Sequence, residues 1–256
     1  MSSVRRTKAG ELASIDFSEI ATDDLAAMLD AGERVRECYR VLAKTDDNIV
    51  GELLKDQGTF YEWNHYPDGD VYDHDSHSQF YYHAHPGEER PGEHGHFHAF
   101  LRPKGMPEGI APADVADFEP PEDPDDALSH LVAISMDPKG LPIKLFTTNR
   151  WVTGEVWYTS DDVCALLPYF AIDHAQPSWP VNIWITSMLI LFRPQIVRLI
   201  RARDVAIEKW TRRHPDGNVF EDRGLEVTAE LAIDVDRQIA AVRRALAARP
   251  ANSRRR

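Results

Sequence analysis

The sequence predicts an α+β fold in which an antiparallel sheet, or a small barrel-like one, covers about residues 59–158 and helices flank it on both sides. Apolar residues recur at helical spacing near the two ends of the chain, whereas the middle carries short aromatic and alternating runs. Helices and strands therefore occupy separate stretches, which favours an α+β fold over a wound parallel sheet.

The length of the chain bounds its domain organisation. Its 256 residues suit one large domain or two small ones. We expect a loose leader at residues 1–18, a single domain at residues 19–248 and a basic tail at residues 249–256.

Two helices are predicted before the sheet. The first runs from Thr22 to Ala43, because Thr22 is a suitable N-cap and two aspartates follow it near the positive end of the helix. A shorter helix is expected from Asn48 to Gln57, and Gly58 is placed to end it.

The predicted sheet begins where the apolar period changes. The aromatic run Thr59–Trp63 predicts a strand, and Pro67–Asp70 predicts a turn. Two further strands are expected at Ser78–His85 and His94–Arg102. The stretch at residues 103–127 is rich in proline, glycine and acidic residues, which is typical of a long surface loop or a lid.

The remaining elements follow from the same patterns. Three more strands are predicted at Leu131–Met136, Ile143–Thr147 and Trp151–Tyr158. Helices then return at residues 160–167, 182–213 and 226–248. Pro194 marks a kink or a break in the second of these helices.

Composition excludes several classes of protein. The formal net charge of −13 argues against a nucleic-acid binder, and the only basic run is Arg254–Arg256. The longest apolar run, Val181–Phe192, is too short to cross a membrane, and no secretory signal is visible. Cys38 and Cys164 form no CxxC pair, so we expect a cytoplasmic protein without disulfides.

The most informative feature is a histidine-rich hairpin at residues 78–102. Eight of the eleven histidines fall between positions 65 and 98. They are His65, His74, His77, His83, His85, His94, His96 and His98. Side chains alternate along a strand, so Tyr81, His83 and His85 share one face of the first strand.

The second strand of this hairpin places His94, His96 and His98 on one face in the same way. A simple antiparallel register sets His85 opposite His94, His83 opposite His96 and Tyr81 opposite His98. Residues that face one another across two strands lie on the same side of the sheet. Five imidazoles are therefore expected on one side of the hairpin.

Such a cluster predicts a transition-metal site, because neutral imidazole is a common ligand of iron, zinc and copper. Two histidines of an HxH motif lie about 6.7 Å apart at Cα, so they converge on one ion only if the sheet curls. His94 and His98 are twice as far apart, so one histidine supports the others or a second ion is bound. A hydrogen-bonded cluster without metal and a pH sensor are the alternatives.

Three residues are candidates for catalytic roles. Glu93 adjoins the second strand and is placed to act as a carboxylate ligand or a general base. Tyr81 lies on the histidine face and is placed to donate a proton. His65 is a further candidate ligand or proton shuttle, although a packed structural histidine is equally consistent with the sequence.

Two resemblances extend this interpretation. The segment His83-Ala84-His85, followed by Glu88 or Glu89, is similar to the first metal-binding motif of the cupins, which implies a metal held inside a β-barrel. From His65 through the Glu93–His98 segment to Asn149–Gly154, the chain also resembles an uncharacterised family of bacterial proteins. This second resemblance implies no activity.

The leading hypothesis is a metal-dependent enzyme, with an oxidoreductase acting on a small organic substrate favoured. Iron is the favoured divalent ion, and zinc or copper are alternatives. A zinc-dependent hydrolase or lyase and a non-catalytic metal-binding or metal-sensing protein are the competing hypotheses. No nucleic-acid or membrane partner is expected, and the outer helices offer a surface for a homodimer.

Overall fold

The structure is a computed structural model that describes residues 15–115 and 119–250. Most of the predicted leader at residues 1–18 lies outside these ranges, and so does the predicted basic tail apart from Arg249 and Pro250. Cys38 and Cys164 are not joined in a disulfide.

Six strands form one antiparallel sheet, and each strand pairs with the next one along the chain. They are β1 (Tyr66–Tyr72), β2 (Ser78–His83), β3 (Gly95–Leu101), β4 (Ser129–Met136), β5 (Pro142–Thr148) and β6 (Val227–Ala232). Because β1 and β6 are the two edges, the sheet is open. The predicted α+β class is confirmed, and of the two predicted sheet forms the structure has the open one.

Helices precede and follow the sheet as expected. They are α1 (Thr22–Leu42), α2 (Ile49–Leu54), α3 (Arg150–Thr153), α4 (Ser160–Leu166), α5 (Trp179–Leu191), α6 (Arg193–Arg213) and α7 (Val235–Ala247). Asn48 caps α2 by accepting hydrogen bonds from the backbone N–H groups of Val50 and Gly51, both 3.0 Å away.

The two faces of the sheet have different surroundings. One face carries apolar side chains such as Phe97, which packs on Trp184 of α5 with ring centroids 5.1 Å apart. This apolar face, together with residues of α1, α5 and α6, forms the main hydrophobic core. The opposite face of β2 and β3 carries Tyr81, His83, His96 and His98, because neighbouring residues alternate sides along a strand. We call it the histidine face.

Two predicted strands are wrong. Thr59–Trp63 is a loop, and the first strand instead includes Pro67, which the sequence places in a turn. Proline lacks an N–H, and an edge strand such as β1 tolerates that loss. Trp151–Tyr158 is not a strand either, because α3 takes its first residues and an extended segment follows, in which the N–H of Val156 bonds to Leu128 O.

The helix predicted at residues 226–248 is partly wrong, because residues Val227–Ala232 near its start form strand β6. Alanine, glutamate and leucine favour a helix locally, but the free edge of β5 supplies hydrogen-bond partners that only the folded chain offers. The sheet therefore extends beyond residue 158.

Pro194 does mark a break, since α5 ends at Leu191 and α6 begins at Arg193. These two helices together have the length and composition of a membrane span, but they are bent by 72°. Within the described ranges, no single helix is long and apolar enough to cross a membrane.

The hairpin depends on a glycine at the start of β3. A Cβ atom at Gly95 would lie 2.5 Å from the hydroxyl of Tyr82 and 2.6 Å from the carbonyl oxygen of His83. We predict that Gly95→Ala lowers the free energy of unfolding by about 1–3 kcal/mol, the usual cost of overpacking.

Urea denaturation measures this effect. Gly87→Ala is the matched control, because a Cβ there meets open space, and it should change the stability by less than about 0.5 kcal/mol. Equal effects of the two substitutions would show that the close approach at Gly95 is unimportant.

Candidate metal centre

The pairing of β2 with β3 sets the geometry of the site. Tyr81 lies opposite His98 and His83 lies opposite His96, as the sequence predicts. The third expected pair, His85 with His94, does not form within the sheet, because β2 ends at His83 and β3 begins at Gly95.

Three histidines converge. One ring nitrogen from each of His83, His85 and His96 lies within 4.8 Å of the others. The Nε2 atoms of His83 and His96 are 2.7 Å apart, and the rings of His83 and His85 are 5.1 Å apart between centroids. Since the chain leaves the strand after His83, His85 is free to turn toward its neighbours, so no curling of the sheet is needed.

Glu93 holds one of these histidines in place. Its Oε1 accepts a hydrogen bond of 2.6 Å from His96 Nδ1, and its Oε2 accepts one of 2.5 Å from Ser135 Oγ. With the proton on Nδ1, the neutral His96 ring presents the lone pair of Nε2 to His83. This carboxylate–histidine arrangement is the one that usually supports metal-bound histidines.

His98 lies beside the three converging histidines. Its ring centroid is 4.8 Å from that of His96 and 5.3 Å from that of His83. Its Nδ1 lies 3.0 Å from Nε2 of His130, but its own Nε2 is buried without a hydrogen-bond partner. An unpaired buried nitrogen costs free energy, so its position next to a ligand cluster fits a bound ion.

His94 lies apart from these four histidines. Its Nδ1 is 2.6 Å from the hydroxyl of Tyr82, and its ring packs near Phe60 with centroids 5.5 Å apart. Tyr82 belongs to the hydrophobic core on the apolar face. His94 precedes the first residue of β3, so the alternation that assigned it to the histidine face does not extend to it.

His65 and Tyr81 lie at the other side of the cluster. Their rings are stacked with centroids 3.6 Å apart, and His65 is 5.7 Å from the ring of His83. The Nδ1 of His65 is 3.0 Å from Asp70 Oδ1, and the other oxygen of Asp70 accepts a hydrogen bond of 2.6 Å from Gln79. Asp70 therefore fixes the orientation of His65.

Burial keeps His83, His96 and His98 neutral. Desolvation lowers the pKa of His83 to about 2, and it lowers the pKa values of His96 and His98 well below the ordinary value. Neutral imidazole is the form that binds metal. Burial also raises the pKa of the Tyr81 phenol, so this hydroxyl keeps its proton and can donate a hydrogen bond.

The loop between β2 and β3 covers part of the histidine face. Arg90 lies over the ring of Phe146 at 5.1 Å from its centroid and forms ion pairs with Glu226 and Glu93. Glu89 contacts His85, with Oε2 3.3 Å from Nδ1. Cavities of about 370 Å³ and 560 Å³ lie elsewhere, beside α7.

None of the hydrogen-bond partners that orient the site residues was assigned that role from the sequence. Ser135 and Asp70 orient Glu93 and His65, and they belong to β4 and β1. His130 supports His98, and the backbone N–H of His130 donates a hydrogen bond of 2.8 Å to Glu155 Oε2. No spacing in the sequence identifies these partners, because each comes from an element brought alongside the hairpin only by folding.

Stability should fall in acid because these histidines are buried. Burial lowers the pKa of His130 to about 3, so the folded protein stays neutral there while the unfolded chain takes up a proton below about pH 6.5. Its contribution is fully present above pH 6.5 and is lost as the pH falls toward 3. The slope is about 1.4 kcal/mol per pH unit for each such histidine.

We predict that His130→Asn reduces the pH dependence of the free energy of unfolding between pH 6.5 and 5 by about that slope. Urea denaturation with a chelator present measures it. His214→Asn is the control, because His214 is exposed at the end of α6, and it should leave the slope unchanged. An unchanged slope in His130→Asn would contradict the assignment.

Comparison with known proteins identifies a family but no activity. No curated protein matches the chain, and no solved structure does. The model of one family, described as Domain of unknown function (DUF6969), matches residues 29–233, which contain every strand of the sheet and the whole histidine hairpin. The cupin resemblance gains no support, since the sheet is open. The chain therefore belongs to the family described as Domain of unknown function (DUF6969).

Proposed function

We propose that this protein is a metal-dependent enzyme that binds a divalent transition-metal ion through His83, His85 and His96. The observation that supports this most is the convergence of three ring nitrogens within 4.8 Å of one another, two of them 2.7 Å apart. Without an ion, His83 Nε2–H must donate to His96 Nε2, because Glu93 fixes the proton of His96 on Nδ1. A metal ion replaces that single shared proton and uses both lone pairs.

His98 lies beside the proposed donor set and is not one of its three members. Its buried Nε2 has no hydrogen-bond partner and its ring lies against those of His83 and His96. His130 holds the opposite side of the ring, since its Nε2 lies 3.0 Å from His98 Nδ1. His94, which packs with Tyr82, does not belong to the proposed set.

The remaining residues have distinct proposed roles. Glu93 orients His96 and is already engaged by Ser135, so it acts as a positioning group and not as a free base. Tyr81 offers a phenolic hydrogen bond beside the cluster. His65, held by Asp70 and 44% exposed, is placed to carry protons between solvent and the site.

Burial favours an enzyme over a metal carrier or sensor. A non-catalytic metal-binding or metal-sensing protein would present the hairpin to solvent. In this structure β2 and β3 are inner strands, and His96 is 1% exposed. Access is limited to the side where His85 and His65 are partly exposed. Such a partly enclosed centre suits a small-molecule substrate.

We favour an oxidoreductase with iron as the ion, because aromatic side chains such as Trp63, Tyr81 and Phe146 surround the cluster and suit a small organic substrate. A bound redox-active ion supplies electron transfer at this position. The second candidate is a zinc-dependent hydrolase or lyase. In the described part of the chain, the converging group contains three histidines and no carboxylate. Three histidines are also the ligands of some catalytic zinc sites, which favours this second candidate.

The first test is elemental analysis of tag-free protein purified without added metal. We expect close to one equivalent of iron, zinc or copper in the wild type and loss of that metal in the double variant His83→Ala/His96→Ala. His94→Ala is the matched control and should retain the metal, because His94 lies apart from the cluster.

The identity of the metal then selects oxidative or hydrolytic assays. Wild-type protein that is empty and gains no thermal stability with added Fe²⁺, Zn²⁺ or Cu²⁺ would refute the proposed function. Loss of metal in His94→Ala, with retention in the double variant, would refute the proposed set of ligands.

Glu93 gives a finer prediction. Glu93→Gln removes the charged acceptor for His96 Nδ1–H but keeps the shape of the side chain. We expect the affinity for the metal to fall by about 10–100-fold, as for other groups that support metal-bound histidines. Competition with a chromophoric chelator measures this, and Glu88→Gln, in the exposed loop, is the control.

A further inference from the structure

Trp63 is an unusually exposed aromatic residue beside the proposed metal site. Its side chain is 55% exposed, although its indole ring contacts His85 edge-on with ring centroids 4.3 Å apart. One edge of the ring is thus fixed against a proposed metal ligand, and much of its surface faces solvent. Contacts within the chain therefore cover only part of the surface of the Trp63 side chain.

The backbone at Trp63 holds the ring in this position. Its φ angle is +71°, in the left-handed region that bulky residues rarely adopt. The N–H of Trp63 is bonded to the carbonyl oxygen of Ala84, 2.9 Å away, so the loop is attached to the chain between His83 and His85. Residues kept in such unfavourable conformations are concentrated at functional sites.

His65 provides a second flat ring on the same side. It is stacked on Tyr81, lies 5.7 Å from the ring of His83 and is 44% exposed. Trp63 therefore adjoins His85 while His65 adjoins His83. Both rings border the side of the cluster on which His65 and His85 are partly exposed.

The charges around this entrance are mainly acidic. Glu89 is exposed and contacts His85, and the exposed Glu88 and Glu62 are the sequence neighbours of Glu89 and Trp63. Arg90, which follows Glu89, is already paired with Glu226 and Glu93. The entrance thus disfavours anions and accepts neutral or cationic molecules.

We propose that Trp63 forms a stacking subsite for a planar aromatic ring, so that the substrate is a neutral or cationic aromatic molecule with an oxygen or nitrogen donor that reaches the metal. This inference rests on the proposed metal site and adds the class of substrate to it. Tryptophan presents a large π-face to such a ring at little entropic cost, and offset stacking is favourable beyond simple burial.

Hydroxamic acids test the proposal, because they share one metal-binding group and differ only in the substituent attached to it. Protein loaded with one equivalent of Zn²⁺ is titrated by calorimetry with acetohydroxamic, cyclohexanecarbohydroxamic and benzohydroxamic acid. We expect the benzo compound to bind about tenfold more tightly than the acetyl compound, as stacking on an aromatic side chain predicts. It should also bind more tightly than the saturated ring of the same size.

Two substitutions of similar size separate stacking from apolar contact. Trp63→Phe should keep most of the preference for the benzo compound, whereas Trp63→Leu should reduce it to about twofold or less, and neither should change the affinity for acetohydroxamic acid. Trp179→Ala, at the exposed start of α5, is the control and should bind all three acids as the wild type does.

The outcomes distinguish the two proposals. Suppose that the wild type binds zinc and acetohydroxamic acid but has equal affinities for benzohydroxamic and cyclohexanecarbohydroxamic acid. The aromatic subsite is then wrong and the metal site stands. A full preference in Trp63→Leu leads to the same conclusion. If the wild type binds no zinc, or binds zinc but none of the three acids, the open metal position does not exist and the subsite falls with it.

Discussion

The register between β2 and β3 is the constraint on which the rest of the site depends. It places His83 opposite His96 and Tyr81 opposite His98, and all four side chains then lie on the histidine face. A slip of one residue in β3 would send His96 and His98 into the hydrophobic core and place Phe97 on the histidine face. The apolar packing of β3 against α5 thus stabilises the same register that brings the imidazoles together.

The central histidines of the site are strongly buried, and a small number of hydrogen-bond partners orient them. Burial disfavours the charged forms of His83, His96 and His98. Glu93, His130 and Asp70 orient the rings of His96, His98 and His65. The partners come from the hairpin loop and from the strands on both sides, so the flanking strands β1 and β4 hold the histidines from outside. Only His98 Nε2 is left without a partner in the cluster itself among the described residues. That nitrogen belongs to a ring that packs against those of His83 and His96.

The open side of the cluster belongs to a different part of the chain. The loop before β1 brings Trp63 and His65 alongside His85 and His83, and the loop after β2 brings Glu89. Inner strands therefore hold His83 and His96, two of the three proposed ligands, whereas His85, Glu89, Trp63 and His65 lie at or beyond the ends of the strands. This division allows the entrance to change its chemistry without disturbing the ligands.

The sequence by itself determined the fold class, the hairpin and the two central cross-strand pairs, because alternation along strands is a local property. It failed where a partner decides the outcome: residues 227–232 became β6 on the free edge of β5, although their composition favours a helix. The prediction of the site residues succeeded and failed for the same reasons. The positions of His83 and His96 were predicted correctly from alternation. His94 does not lie on the histidine face, because it precedes β3. Ser135, Asp70 and Trp63 reach the cluster only through tertiary packing, which no spacing along the chain encodes.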